Sequence, residues 1–370
     1  MGTKIFFALF SLALALGSPL WAKDTISALY QKVDKYLALR DKLPKANDSF
    51  WSWVPFTEDN KNQIQDDINV YLDQSLAVLL DDTAIKIKND INSLAAENRA
   101  LLEKIGQYEL EKAAAPKETS ALKFWDTSVS QYNDKIEDAK KKIVANTAKI
   151  EIKRAEIKSN LAKSNIYLSD DQIKTLLVTV SGQDQLDAIV ALKNLYSLAD
   201  ALKKLIGSNS DLNVYKKYYG VFLLATQAHE RQLVLFIDKV DNKYLPKLKD
   251  LKDENLKLMA ETQALAAQNS IYAQNLVAQR VTDVVADKYR DLLKSQRENL
   301  NSRLKALSEV LKYVENTYRT VSLASGLATS MEEGLNTLKA ILEMPILPPV
   351  AFENNLEATF LELSEKLSQN

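Results

Sequence analysis

The chain has 370 residues, with 48 Lys and Arg against 49 Asp and Glu, and it has no cysteine. The balanced charge gives no electrostatic reason to expect nucleic acid or a polybasic membrane anchor. The lack of cysteine excludes a disulfide framework and a lipid-modified cysteine. Only 8 Gly and 8 Pro among many helix formers predict an all-α, elongated protein with no β-sheet.

The first 22 residues have the pattern of a secretory signal peptide. Lys4 is followed by an apolar run from Ile5 to Leu16, and the small residue Ala22 precedes a charged residue. This anatomy is typical of a leader that is removed on export. The run is shorter than the roughly 20 apolar residues that a membrane-spanning helix needs. We therefore expect cleavage after Ala22, a periplasmic or secreted location, and no transmembrane segment in the mature chain.

The region 23–57 predicts an N-terminal helix followed by an aromatic linker. The helix runs from about Asp24 to Leu43, where a proline stops it. The linker contains the densest aromatic stretch of the chain, with Trp51 and Trp53 at its centre. Such a stretch either docks onto a partner or folds back onto the helices as a plug. On the first interpretation, both tryptophans are candidate partner-binding residues.

The region 58–165 predicts a long antiparallel coiled-coil hairpin. Its first arm is expected as one helix from Thr57, a possible N-cap, to about Ala113, and Pro116 lies in the turn. Each arm carries positions spaced alternately by three and four residues, which is the seam of a coiled coil. The seams are Ile87, Ile91, Leu94, Asn98, Leu101, Ile105 and Tyr108, then Val129, Tyr132, Ile136, Ala139, Ile143, Asn146, Ile150, Lys153, Ile157 and Asn160. Arms of this length span about 60 Å.

Two features of this hairpin bear on function. Asn98, Asn146 and Asn160 are polar seam residues, which either fix the register at a cost in stability or belong to a stem that opens and repacks. Phe124 and Trp125 lie a few residues after the turn, near the predicted tip. They either contact a partner or pack against the opposite arm. They are the other candidate partner-binding residues.

The region 166–246 predicts a helical bundle segment. Ser169 and Gln172 have the spacing of a capping box at the start of a helix. A helix from Asp211 to about Tyr244 is apolar on much of its surface and is predicted to be the most buried element. Pro246 marks its boundary with the next segment.

The regions 247–343 and 344–370 predict a second long helical segment, then a proline-rich strap and a C-terminal helix. A single helix over 247–343 would be about 145 Å long, so we expect a second hairpin with its turn within 266–270. Two seams are predicted in this segment. They are Leu251, Leu258 and Leu265, and then Leu300, Leu304, Leu307, Leu311, Val314, Tyr318 and Val321.

The sequence carries no recognisable catalytic or metal-binding motif. His229 is the single histidine, and Leu233 occupies the position where a zinc helix of the H-E-x-x-H type has its second ligand. Without cysteine or another histidine, a zinc site of the usual kind is excluded. His229 is therefore expected to be a polar residue on the helix surface or partly buried. Neighbouring aspartates diverge by about 100° on a helix and do not converge on one substrate. We expect no enzyme activity and no cofactor.

Two classes of exported helical protein are similar to this pattern. The hairpin resembles that of efflux adaptors, but no segment predicts their β domains. In length and helicity the chain is similar to α-helical pore-forming toxins of the ClyA type, whose apolar membrane-inserting tongue has no counterpart here. We expect a scaffold or adaptor of the cell envelope with a protein partner and no nucleic acid. The alternative is a non-inserting toxin subunit, and a homo-oligomer remains open.

Overall fold

The computed structural model describes residues 20–43, 58–115, 129–163, 165–207, 212–266, 272–321, 328–345, 350 and 356–368. Every regular element in these ranges is a helix and none is a strand, which confirms the all-α prediction. None of the helices in the described part of the chain combines the length and apolar character needed to cross a membrane.

The regular elements of the described residues are one π-helical segment and eleven α-helices. In chain order they are α1 (Leu20–Arg40), α2 (Glu58–Leu79), α3 (Thr83–Ala114), α4 (Val129–Ala162), α5 (Asp170–Val178), α6 (Gly182–Gly207), α7 (Leu212–Lys239), α8 (Leu245–Ala266), α9 (Ala273–Thr320), α10 (Ala328–Glu343) and α11 (Leu356–Ser368). A π-helical segment, Val240–Tyr244, joins α7 to α8 without a break. The chain divides into two compact units, one formed by Asp82–Leu168 and the other by the described residues on either side of that range.

The predicted continuous helix between residues 58 and 113 is interrupted. Asp82 is an N-cap with extended backbone, and its side-chain Oδ1 accepts a hydrogen bond of 2.8 Å from the N–H of Ala84. The preceding helix ends where the buried Asn194 amide donates a hydrogen bond of 2.7 Å to the carbonyl of Leu79. Both groups satisfy backbone atoms that a helix terminus leaves open. The compact unit therefore begins at Asp82, one helix later than the predicted start of the hairpin.

Within the unit Asp82–Leu168, α3 and α4 pack as an antiparallel pair. Lys153 Nζ lies 2.7 Å from Asp90 Oδ2, and the ring centroids of Tyr108 and Tyr132 lie 6.2 Å apart. Since the residue number rises along one helix as its partner's falls, the two contacts establish the antiparallel direction. The buried residues of both helices include Ile87, Ile91, Leu101, Ile136, Ala139, Asn146, Ile150 and Ile157. They belong to the two predicted seams.

Three polar members of these seams each have a buried side-chain atom without a hydrogen-bond partner among the described residues. These atoms are Asn98 Oδ1, Asn146 Nδ2 and Asn160 Oδ1. The Lys153–Asp90 pair fixes the register of the two helices. One heptad along from this pair, Asn146 lies within about one residue of the level of Asn98. A buried polar atom without a partner costs about 1–3 kcal/mol, so these positions lower the stability of the pair.

In the other unit, α7 is the central helix, and it packs against α1, α2, α6 and α9. Every residue from Tyr218 to Thr226 is buried, in line with the predicted burial of this helix. Gly220 allows α1 to approach closely, because a Cβ there would lie 2.9 Å from Leu37 Cδ1 and 3.0 Å from Val33 Cγ2. Burial of this apolar surface is the main force that holds the bundle together.

The predicted boundary at Pro246 is a continuous helical passage. Proline has no N–H and its ring crowds the carbonyl four residues earlier, which disturbs a regular α-helix. The π-helical segment accommodates this, with the N–H of Leu245 donating to the carbonyl of Val240. Tyr244 in this segment donates a hydrogen bond of 2.9 Å to Asp184 Oδ2 on α6, which anchors the passage to the bundle.

Helices α8 and α9 pack together, but only Leu251 of the predicted seam Leu251, Leu258 and Leu265 packs against the core. Leu258 and Leu265 are 46% and 43% exposed. The contacts with α9 come from a neighbouring stripe that includes Asn255, whose Nδ2 donates a hydrogen bond of 2.9 Å to the carbonyl of Gln279. Because α8 contacts α9 here through hydrogen bonds, the spacing of leucines by seven did not identify the face of α8 that lies against α9. The second predicted seam, from Leu300 to Val321, does lie against the bundle.

Buried polar groups tie the C-terminal elements to the bundle. Ser364 Oγ on α11 lies 2.6 Å from the carbonyl of Val178 and 2.9 Å from the hydroxyl of the fully buried Tyr289. Arg303, which is buried on α9, donates a hydrogen bond of 3.0 Å to the carbonyl of Met344. A cation at this position also complements the negative end of the α10 dipole.

Candidate functional site

The four predicted partner-binding residues lie outside the described part of the structure. Trp51 and Trp53 fall within residues 44–57, and Phe124 and Trp125 within residues 116–128. Whether these residues contact a partner or pack internally is not tested by the described residues, so their role in partner binding stays a prediction.

His229 is more deeply buried than its sequence context predicted. Its side chain is 1% exposed, and Nδ1 lies 3.0 Å from Gln232 Oε1. Burial lowers the pKa of the imidazole from 6.5 to about 4, against a smaller raising effect of the Gln232 hydrogen bond, and Arg303 lowers it further. His229 is neutral at pH 7. No group of three or more potential metal-ligating side chains lies together among the described residues.

A cleft of about 320 Å³ opens between the end of α1, the middle of α2 and the surface of α7. We call it the α1–α2–α7 cleft. Its lining includes Leu43, Ile68, Leu72, Gln227, Glu230 and Val234. Helices α1 and α2 are consecutive in the chain, whereas α7 begins only at Leu212. The same packing that buries their apolar faces leaves this opening.

The carboxylate of Glu230 lies in this cleft without a cationic partner among the described residues. Arg40 also lines the cleft, and its NH2 lies 2.6 Å from Glu315 Oε1. Arg231 lines it too, and its Nε lies 2.8 Å from Asp73 Oδ1. Each arginine is therefore engaged by another acid. Burial raises the pKa of the half-buried Glu230 carboxyl, which means that the charged form is incompletely solvated.

Gln227 presents a hydrogen-bond donor beside that carboxylate. It precedes Glu230 by three residues on α7, so both side chains lie on one face of the helix. The hydroxyl of Tyr36, which is fully buried on α1, donates a hydrogen bond to Gln227 Oε1. This leaves the amide NH2 of Gln227 as the group available to a ligand. Burial is also the main reason that the pKa of Tyr36 is raised, so Tyr36 stays a donor.

The remaining surface of the cleft is aliphatic. Val234 and Leu235 are 48% and 42% exposed at its edge, while Ile68 and Leu72 are buried at its base. The combination of an unpaired carboxylate, an oriented amide donor and an aliphatic wall suits a cationic group on an apolar stem.

Sequence reasoning missed this site. Gln227, Glu230 and Arg231 lie in a polar interval between two apolar runs of the sequence, and Val234 belongs to the second run. Their spacing from Gln227 of three, four and seven residues was the available signal, because it places these side chains on one face of the helix. The contributions of α1 and α2 had no signal in the sequence.

No family model, no curated protein and no solved structure matches this chain.

Proposed function

We propose that the protein is an exported, non-catalytic coiled-coil scaffold or adaptor of the cell envelope that acts through contacts with other proteins. The observation that carries this proposal is that four large aliphatic side chains of the α3–α4 pair are exposed. Leu110 and Val144 are 77% and 69% exposed, and Leu102 and Ile152 are 58% and 61% exposed.

The architecture of this unit supports a binding role. In a pair of helices, each helix turns only one stripe toward its partner, and the rest of its circumference stays available. α3 and α4 have 32 and 34 residues, so each is about 50 Å long. Large aliphatic side chains on such an extended helical surface are suited to burial against a partner.

The partner can be sought by affinity capture from envelope fractions of the source cells. The wild-type chain is compared with a double variant, Leu110→Ser and Val144→Ser, and with a control, Lys141→Ser. The Lys141 side chain is 76% exposed and is not aliphatic. We expect the double variant to lose a protein that the wild type and the control retain. Equal capture by all three chains would contradict the role of this surface.

Two further measurements test the other parts of the proposal. The intact mass of the exported protein should show removal of residues 1–22, and a retained leader would contradict export by this route. Leakage from liposomes distinguishes a scaffold from the alternative, which is a non-inserting subunit of an α-helical pore-forming toxin. If the protein is a scaffold, leakage stays unchanged when the protein is added alone and when its captured partner is added with it. Leakage that appears on combining the two proteins would support the toxin alternative.

A further inference from the structure

We infer that the α1–α2–α7 cleft binds a lysine side chain of a partner protein. Its alkyl stem would lie against Val234 and Leu235, and its ammonium group would meet the Glu230 carboxylate. The inference rests on the proposed function, because it assigns a contact to the same class of partner.

Charge complementarity identifies a cation as the occupant. Glu230 is the one acidic residue among the cleft's described lining residues, and Arg40 and Arg231 are held by Glu315 and Asp73. A half-buried carboxylate without a partner loses hydration and gains nothing in return. An incoming ammonium group supplies a charge-assisted hydrogen bond at that position, so the unfavourable charge in the free protein becomes an attraction in the complex.

The neighbouring amide favours lysine over arginine. Because Tyr36 holds Gln227 Oε1, Gln227 turns a donor toward the ligand. Neither a guanidinium nor an ammonium group carries an acceptor, but a guanidinium group spreads five donors over a rigid plane, so some of them would meet that donor unfavourably. An ammonium group is compact and reaches Glu230 alone. It leaves Gln227 free to donate to a backbone carbonyl of the partner.

The aliphatic wall explains why a side chain, and not a free inorganic cation, fits the cleft. Val234 and Leu235 stay partly exposed beside Glu230, while Ile68 and Leu72 close the base. Four methylene groups of a lysine can cover the exposed methyl groups while its charged end stays with the carboxylate. The contact adds hydrophobic burial to the ion pair.

The test uses the full chain with methyl-labelled leucine and valine, so that Val234 and Leu235 report directly on the cleft. The probe is Nα-acetyl-lysine N-methylamide, and the apolar control probe is Nα-acetyl-norleucine N-methylamide. We expect saturable shifts of both methyl signals with the lysine probe. Affinity should fall at least about tenfold with the norleucine probe and in Glu230→Gln, because the charge-assisted hydrogen bond is lost. Glu254→Gln, an exposed acid on α8, should bind as the wild type does.

Folding is controlled for in the same series. Glu230→Gln removes an unpaired, half-buried charge, so it should melt at or above the wild-type temperature. Loss of probe binding then reports on the site and not on unfolding. A second variant, Gln227→Leu, keeps the carboxylate and removes the amide donor. It should weaken the lysine probe less than Glu230→Gln does.

Several outcomes would overturn the inference. They are no saturable shift with the wild type, equal affinity for both probes, or unchanged affinity in Glu230→Gln. Binding that appears only after Trp51→Ala and Trp53→Ala would show that the chain's own residues 44–57 occupy the cleft. A failed probe experiment with successful capture through α3 and α4 would remove the lysine site alone. Failure of the capture experiment would remove the proposed function itself.

Discussion

Tyr36 on α1 donates a hydrogen bond to Oε1 of Gln227 on α7 and thereby determines which end of that amide faces the α1–α2–α7 cleft. Tyr36 is fully buried, so its ring position is fixed by core packing. The bond therefore links the core of the bundle to the surface that a ligand would meet.

Removing this bond should weaken the bundle modestly. Tyr36→Phe keeps the ring and deletes the donor, so we expect the free energy of unfolding to fall by about 1 kcal/mol. The freed amide can also rotate, which should weaken binding of the lysine probe. Thermal melts and the probe titration measure the two effects. Tyr167→Phe is the matched control, because Tyr167 is 75% exposed. Equal melting of Tyr36→Phe and the wild type would show that the bond contributes nothing.

The buried His229 should make stability depend on pH. The unfolded chain binds a proton at this residue below about pH 6.5, whereas the folded chain binds one only below about pH 4. The free energy of unfolding therefore falls as the pH drops from about 6.5 to about 4, by up to about 3 kcal/mol, and the full contribution is present above that window.

Urea unfolding of the wild type and of His229→Gln across this window measures the effect. Carboxyl groups also titrate there, so the quantity to examine is the difference between the two curves. We expect the wild type to lose more stability than the variant as the pH falls. Parallel curves would mean that His229 does not titrate as its burial implies.

Gly182 should tolerate no side chain. A Cβ at this position would lie 2.0 Å from the carbonyl oxygen of Leu176 and 2.7 Å from its carbonyl carbon. Because these are backbone atoms, the turn between α5 and α6 would have to shift. We expect Gly182→Ala to destabilise the protein strongly.

Gly106→Ala is the opposite case. Nothing lies within 4 Å of a Cβ at this position on α3, and alanine favours the helix over glycine by up to about 1 kcal/mol. Thermal melts should therefore move in opposite directions for the two variants. A harmless Gly182→Ala would contradict the geometry of the turn.

Substitutions in the seam between α3 and α4 should have different effects on stability at apolar and at polar positions. Ile150→Asp places a charge in a buried position and should cost about 3 kcal/mol or more. Asn146→Leu removes a buried amide nitrogen that has no hydrogen-bond partner in the described structure, so it should keep or raise stability. Helicity measured during thermal melts checks both. An unchanged melt of Ile150→Asp would mean that α3 and α4 do not pair through this seam.

The helix pair in Asp82–Leu168 was largely predictable because its apolar positions alternate by three and four residues. The start of α3 was not predicted, since Asp82 interrupts a pattern that is helical on both sides of it. The inner face of α8 was missed for another reason. Asn255 forms the contact through a hydrogen bond, while Leu258, which fitted the expected seam, is exposed.

The candidate site was not predictable in the same way. Glu230 is half-buried in a cleft that Leu43 and Ile68 also line, and these residues come near it only in the folded protein. By charge alone, Arg40 and Arg231 could each pair with Glu230. In the structure, each of them pairs with a different acid. Which charges pair depends on how the helices pack, and apolar periodicity carries no information about that.

We propose that the protein works through partner contacts of the exposed aliphatic side chains on α3 and α4. Photo-crosslinking in the envelope of the source cells tests it most directly, with the crosslinker at Leu110 and, as a control, at Lys141. We expect a discrete protein adduct from position 110 that position 141 does not give. Adducts that are identical at both positions, or none at position 110, would contradict it.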